Sequence, residues 1–501
     1  MPAPDPRAVI ERGAATACRG VPRFLLSGAD WAFLAGASSP DLLFRSAWSD
    51  NAEMHALWTD GEGGRPVIAS VAVEGGRYEA LSRHHAAAAL FERAEHDLRG
   101  LEAMSARDEA PLLDHGRWPL TRPLAVRPGP APWPPEPPEL RFFPSEEARG
   151  LHQVGFGPIA TGLPASGPAH WRLTLRGTGI ERVQTLPGYA HRGVLSAVRG
   201  LPVTEAAPLV ARIAAGGTVA HQLCFSRAAE AALRWQPDPA LRQERVLLGE
   251  IERIATHLSD LSATLEAAGE AAASGSFRGL LEQVRAGCQA FSGHRWLMAA
   301  VRPFEGMRAD AGAGAALEAV LRRVLADHAR LEQAVRRCRH RLHDRCTIPD
   351  PVARAHGLPG PSGRMSGQRI DLRRDGEAGD GAAPAPHGRN GDVRLRCGAR
   401  LAEIADAASL GLALLERWRP SADAWSGPGS GSGEGIGSAE GPRGDHWHWL
   451  RIEHGRIVAA HFHDPAMLSL PAAETAAVGL DADELPLLGR SLGLSMAGVD
   501  G

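Results

Sequence analysis

Gly188 to Glu230 reads GYAHRGVLSAVRGLPVTEAAPLVARIAAGGTVAHQLCFSRAAE, and its spacing decides how the rest of the chain is read. Leu201, Val203, Leu209, Val210, Ile213 and Val219 recur at mostly helical intervals. His221, Cys224, Phe225, Ala228 and Ala229 then recur three and four residues apart, which predicts a second helix. Between them lies Ala214-Ala215-Gly216-Gly217, a loop of small residues that lets another group approach the backbone closely. The opening His191-Arg192-Gly193 sets an imidazole and a guanidinium beside a glycine.

The chain has 501 residues and a hydrophobic fraction of 44%, enough for two to four domains with buried cores. A formal net charge of −3 gives no electrostatic reason to expect a nucleic-acid partner or an anionic membrane surface. Every basic residue other than histidine is arginine. The six cysteines are scattered, with no CxxC and no zinc-type pairing, and are expected as reduced thiols in a cytoplasmic protein. Neither a leader-like apolar stretch nor a run of eighteen apolar residues occurs. The expectation is a protein that is soluble, or bound to a membrane only through partners.

The pattern predicts an α+β chain in which a small N-terminal domain (1–122) is joined by a proline-rich linker (123–140) to a mainly helical domain (141–501). Residues 66–75, PVIASVAVEG, read as a strand. A helix over His84 to Arg99 carries an apolar stripe of Leu90, Phe91, Ala94 and Leu98. Its Glu92, Arg93, Glu95 and Asp97 lie elsewhere, as on a solvated amphipathic helix. Alternation of Trp171, Leu173, Leu175 with Ile180 and Val183 predicts a small antiparallel sheet. Leu241 to Ala268 reads as a long helix. Its Glu250, Glu252, Arg253, His257 and Asp260 form either a surface ion-pair set or a buried group in which a glutamate relays protons. Further helices are expected over Phe277–Phe291 and Ala315–Leu342, and flexible polar loops over 375–388 and 426–441.

DHWHWLRIEHGRIVAAHFHD, residues 445–464, reads as a hairpin with His454-Gly455 as its two-residue turn. A regular register from that turn sets His448 opposite His461 and His446 opposite His463. All four imidazoles would then share one face, as a zinc-type cluster, a proton-transfer group, or histidines bonded to carboxylates such as Asp464.

The organising stretch resembles the large subunit of membrane-bound, energy-converting nickel-iron hydrogenases and its relative, the D-type subunit of NADH:quinone oxidoreductase (complex I). Both carry His-Arg-Gly, a helix, a short loop and a second helix. The hydrogenase loop Arg-x-Cys-Gly-x-Cys, followed by a His, matches Arg212 to Gly217 and then His221. Asp464-Pro465-Ala466 to Ser469 matches the second metal-binding element, Asp-Pro-Cys-x-x-Cys. The resemblance therefore implies that all four thiolates are gone, at Ala214, Gly217, Ala466 and Ser469. The quinone-reducing relatives place a Tyr where Ala215 stands and a His where Ala160 stands. The carboxylate that often follows His-Arg-Gly is replaced by Leu195. Retained positions are His191, Arg192, His221, Glu250, Arg364, Asp371, Arg443 and Asp464, which the resemblance places in or near the cavity. Phe91-Glu92-Arg93, Asp97, Gly100, Leu112-Leu113 and Trp118-Pro119 resemble the C-type subunit of complex I.

The order of C-type domain, linker and D-type domain resembles the fused large subunits of formate-hydrogenlyase-type and hydrogenase-four-type complexes. The resemblance implies a peripheral subunit on the cytoplasmic side of the inner membrane, in an NADH/ferredoxin:quinone-type or hydrogenase-related oxidoreductase complex. It would pack against a small iron-sulfur subunit and membrane-arm subunits. It would bind no cofactor itself, the iron-sulfur clusters lying in the partner, and would not itself be a nickel-iron hydrogenase. The alternative is a catalytically silent scaffold that holds the iron-sulfur subunit against the membrane arm.

Overall fold

The computed structural model describes all residues except 1–3, 38–41, 62–64, 117, 131–149, 161, 308–311, 376–386 and 420–429. The proposed linker thus falls largely outside the described residues, as does most of the polar loop at 375–388. Helices and small sheets are mixed, as an α+β chain requires.

The N-terminal sheet has five strands in the order Ala14–Ala15, Arg23–Leu25, Val67–Ala72, Glu53–Asp60 and Leu42–Ser49. Helix Ala89–Arg99 packs on it, preceded by a short 3-10 turn. Its charged residues are not solvated as expected: Glu92, Arg93, Glu95, Asp97 and Arg99 are all buried. Glu92 accepts the N–H groups of Leu81 and Ser82 before the helix, Glu95 pairs with Arg99 within it, and Arg93 and Asp97 hold the chain beyond it. Asp97 accepts the N–H groups of Leu112 and Leu113 at 2.8 and 2.7 Å, and Arg93 donates to the carbonyls of Ala110 and Pro111.

The predicted antiparallel sheet forms from His152–Phe156, His170–Arg176 and Gly179–Leu186. The helical body contains Pro239–Ala267, Ala271–Ser292, Ala313–Arg337 and Val393–Arg417, packed against one another. Local sequence sets two of their starts. Asp238 accepts from Leu241 N at 2.7 Å with Pro239 in the first turn, and Asp392 accepts from Leu395 N at 2.7 Å.

A four-stranded sheet runs in the order Arg456–His463, Gly444–Glu453, Gly433–Gly441 and Cys18–Arg19. The last strand comes from the N-terminal part of the chain, pairing parallel to Gly433–Gly441. The glycine-rich stretch is therefore a central strand over Gly433–Gly441, and not the loop its composition suggests. Its glycines are needed because helix Thr218–Ala232 lies directly on it. A Cβ at Gly435 would fall 2.5 Å from the Ala228 carbonyl oxygen, and one at Gly437 2.3 Å from that of Cys224.

The hairpin forms with its turn at His454-Gly455, both at positive φ. Its register departs from the regular one. Ile452 pairs with Ile457 and Arg451 with Ala459, so a β-bulge inserts Val458. Beyond it Trp449 faces His461 and Trp447 faces His463. The expected four-histidine face is thereby split. His461 and His463 turn toward the N-terminal sheet, where His461 bonds Ser46 Oγ at 2.8 Å and stacks on Trp48. His446 and His448 turn to the opposite side, toward His221. Buried Arg45 pairs with Asp445 across the N-terminal contact, and Arg23 with Glu434 at 2.9 Å.

Candidate functional site

The four positions that match the metal thiolates come from two segments more than two hundred residues apart, and the fold brings them to one cleft. Ala214, Gly217, Ala466 and Ser469 all line it, together with Arg443, His446 and Asp464. Ala214 and Gly217 come from the loop before helix Thr218–Ala232. Ala466 and Ser469 come from the first turn of helix Ala466–Ala476. No thiol lines the cleft among the described residues: Cys224, Cys288, Cys338, Cys346 and Cys397 are buried elsewhere, and Cys18 is half-buried on the outer strand Cys18–Arg19.

His446 fills the space beside Gly217. A Cβ on Gly217 would sit 2.5 Å from His446 Nε2, and one on Gly441 would sit 2.5 Å from its Cε1. The imidazole is thus wedged between two glycines, in space that a side chain at 217 would need. Its Nδ1 lies 3.1 Å from the Gly444 carbonyl oxygen, which fixes the ring. Its Nε2 has no hydrogen-bond partner and stands 3.6 Å from Asp464 Oδ2, too far for a hydrogen bond.

Asp464 is set by the chain immediately after the hairpin. Its Oδ1 accepts from Ala466 N at 2.8 Å and its Oδ2 lies 3.1 Å from His221 Nε2. Burial by itself would raise this carboxyl, but His221 and His446 hold it well below the usual carboxylate range. Burial lowers His221 and His448, whereas the Asp464 charge raises His446 in spite of its burial. The cleft therefore holds the Asp464 carboxylate and the Arg443 guanidinium, and His446 is the imidazole whose basicity Asp464 raises. His221 Nδ1 lies 2.9 Å from His448 Nε2, so His448, His221 and Asp464 form one hydrogen-bonded chain, with the His446 ring packed edge-on against His221.

Arg443 enters from the other side. Its guanidinium lies over Gly216, where a Cβ would meet it at 2.4 Å, and it grips Asp260 at 2.6 and 3.1 Å. Arg400 stands 3.7 Å from the same carboxylate. Glu252 accepts the N–H groups of Val219 and Ala220 at 2.6 and 3.0 Å. It satisfies two N–H groups in the buried first turn of helix Thr218–Ala232 from a neighbouring helix.

The remaining predicted residues lie elsewhere. Arg364 binds Glu403 at 2.5 Å and Glu440 at 2.9 Å. Asp371 binds Arg373 at 2.6 Å, and Glu250 lies 3.2 Å from Arg253, which also reaches Glu403 at 3.1 Å. This is a buried ion-pair network beside the cleft, so Glu250 belongs to no surface ion-pair set. His191 and Arg192 do not line the cleft. His191 stacks on Trp118, and Arg192 donates to the Ile213 carbonyl that leads into the small-residue loop. Ala160 and Ala215 are exposed and Leu195 is half-buried, all outside the cleft. Sequence reasoning missed Arg400, Gly441 and the His446 wedge. Arg400 and the His446 wedge act on residues distant in the chain, Asp260 and Gly217, and Gly441 matters only through that wedge.

No protein-family model matches the sequence, and no curated protein matches it. Among solved structures, a chain of the membrane-bound sulfane sulfur reductase, an archaeal respiratory membrane complex, has a similar fold, with a TM-score of 0.63 and 18% sequence identity. The match covers 72% of this chain and 100% of that one. At this identity the likeness establishes the fold. No described helix is long and apolar enough to cross a membrane.

Proposed function

We propose that this chain is the large, peripheral subunit of a membrane-associated respiratory or energy-converting oxidoreductase complex. It docks an iron-sulfur subunit, and its cleft carries no nickel-iron centre. The observation that carries this reading is the convergence of Ala214, Gly217, Ala466 and Ser469 on one cleft, around a polar floor. Nickel and iron centres of this kind need soft thiolate ligands, and a methyl, a hydrogen or a hydroxymethyl group supplies none. The polar floor, with Arg443, His446 and Asp464 in place, favours a working cavity over a silent scaffold. The structural neighbour's place in a respiratory membrane complex supports membrane-arm partners, reached on the cytoplasmic side through contacts and not through a spanning helix. NADH or ferredoxin as donor and a quinone as acceptor are part of the same proposal.

Purification of the tagged chain from membranes of its native host tests this. The expected result is co-purification with an iron-sulfur protein and membrane subunits, without hydrogen evolution. A partnerless cytosolic protein, or hydrogen turnover with stoichiometric nickel, overturns it. In the intact complex Arg443→Ala is expected to lower electron transfer to the acceptor. Unchanged turnover in a correctly assembled variant complex would assign the scaffold role instead.

A further inference from the structure

We infer that His221, His446 and Asp464 form a binding site for one four-coordinate divalent cation of the zinc type, in the cleft where the thiolate positions lie. This rests on the reading that no nickel-iron centre occupies the cleft.

Geometry carries the inference. One ligand atom from each of His221, His446 and Asp464 lies within 4.8 Å of the other two. Asp464 Oδ2 is 3.1 Å from His221 Nε2 and 3.6 Å from His446 Nε2. A tetrahedral ion with bonds of about 2.0–2.1 Å separates its ligand atoms by about 3.3 Å, between those two values. The two imidazole-to-carboxylate edges match that spacing before any side chain moves.

His446 Nε2 gives the second, independent observation. The residue is 1% exposed, and this nitrogen has no hydrogen-bond partner. Nδ1 can donate its proton to the Gly444 carbonyl, which leaves the Nε2 lone pair free in the tautomer a metal ligand requires. His221 has the matching arrangement. With Nδ1–H donated to His448 Nε2, its own Nε2 becomes a ligand. His448 then keeps its proton on Nδ1, which has no partner, a cost that coordination must offset. Asp464 Oδ1 is held by Ala466 N, so Oδ2 is the atom left for the ion.

Two imidazoles and a carboxylate select a borderline ion such as zinc over calcium or magnesium, which prefer oxygen ligands alone. Three protein ligands leave one position open toward Gly216, Gly217 and Ser469, where water or an incoming anion can bind. The fold has thus lost one metal site and assembled the ligands for a different one from the neighbouring residues. His448 is a positioning residue here, since it reaches the ion only through His221.

The full chain, stripped with chelator, tests this when titrated with zinc and with cobalt(II), both followed by elemental analysis. One equivalent of zinc, with a cobalt spectrum of tetrahedral type, is expected. His446→Ala and Asp464→Asn should abolish stoichiometric binding, and His448→Ala should weaken it about 10–100-fold. The wild-type cobalt spectrum decides the matter even if a variant fails to fold. No bound metal, or an octahedral cobalt spectrum, overturns the site and leaves the proposed function standing. Nickel with iron in the native protein overturns both. Zinc retained in His446→Ala and Asp464→Asn overturns the assignment of ligands.

Discussion

Gly217→Ala adds one methyl at the position that would bear a thiolate, and the structure sets what it costs. Backbone strain is not the issue, because Gly217 has φ −143°, which alanine adopts. The new Cβ would lie 2.5 Å from His446 Nε2 and 3.2 Å from its Cε1. Ordinary contact needs about 3.5 Å, so the ring must withdraw by about 1 Å. It has nowhere to go. On its far side a Gly441 Cβ would already meet the ring at 2.5 Å, so only hydrogens separate it from that backbone. Overpacking of this kind costs about 1–3 kcal/mol, against which the reduced freedom of the unfolded chain returns about 0.4–1 kcal/mol. A net loss of about 1–2 kcal/mol is expected in urea or guanidinium unfolding, read as a lower midpoint at unchanged slope. His446→Ala removes the clash, so the double variant should be more stable than the sum of the single changes by about 0.5–3 kcal/mol. A neutral Gly217→Ala, or strict additivity with His446→Ala, would refute the wedge. Glycine at 217 would then have no steric cause.

Other outcomes follow from the buried groups. Arg364→Leu leaves Glu440 without its cation and takes one partner from Glu403, and a loss of about 3–5 kcal/mol is expected in the same unfolding assay. Burial pushes the Asp500 carboxyl up to about 6 although it accepts the N–H groups of Gly188 and Ala190. Between about pH 4 and pH 6 the folded state then binds the extra proton, so stability should fall as pH rises through that window. Asp500→Asn should flatten that slope. Deletion of Val458 removes the bulge but leaves Arg451 opposite Ala459 and Trp449 opposite His461, so the strand becomes regular with the faces of residues 459–463 unchanged. His461 should then stay on Trp48, and limited proteolysis should leave the N-terminal part of the chain as protected as in the wild type; its release would refute the bulge.

Much of the fold was legible because its signals are local. Helix spacing from Val203 to Val210 and from Thr218 to Ala232, the caps Asp238 and Asp392, and the positive φ that Gly455 accepts need no distant partner. The sequence also determined that Ala214, Gly217, Ala466 and Ser469 offer no thiolate, since that is chemistry and needs no geometry. Tertiary structure decided the rest. One residue inserted at Val458 reversed the faces of His461 and His463, and a period of two cannot reveal a bulge in advance. The glycines of Gly433–Gly441 read as a loop until a helix was found lying on them. The charges on Ala89–Arg99 read as solvated until the segment after the helix was found folded back over them. His446 was visible as a candidate, but its place between two glycines and beside His221 and Asp464 depends on elements far apart in the chain. Position in three dimensions, and not residue type, made that group a site.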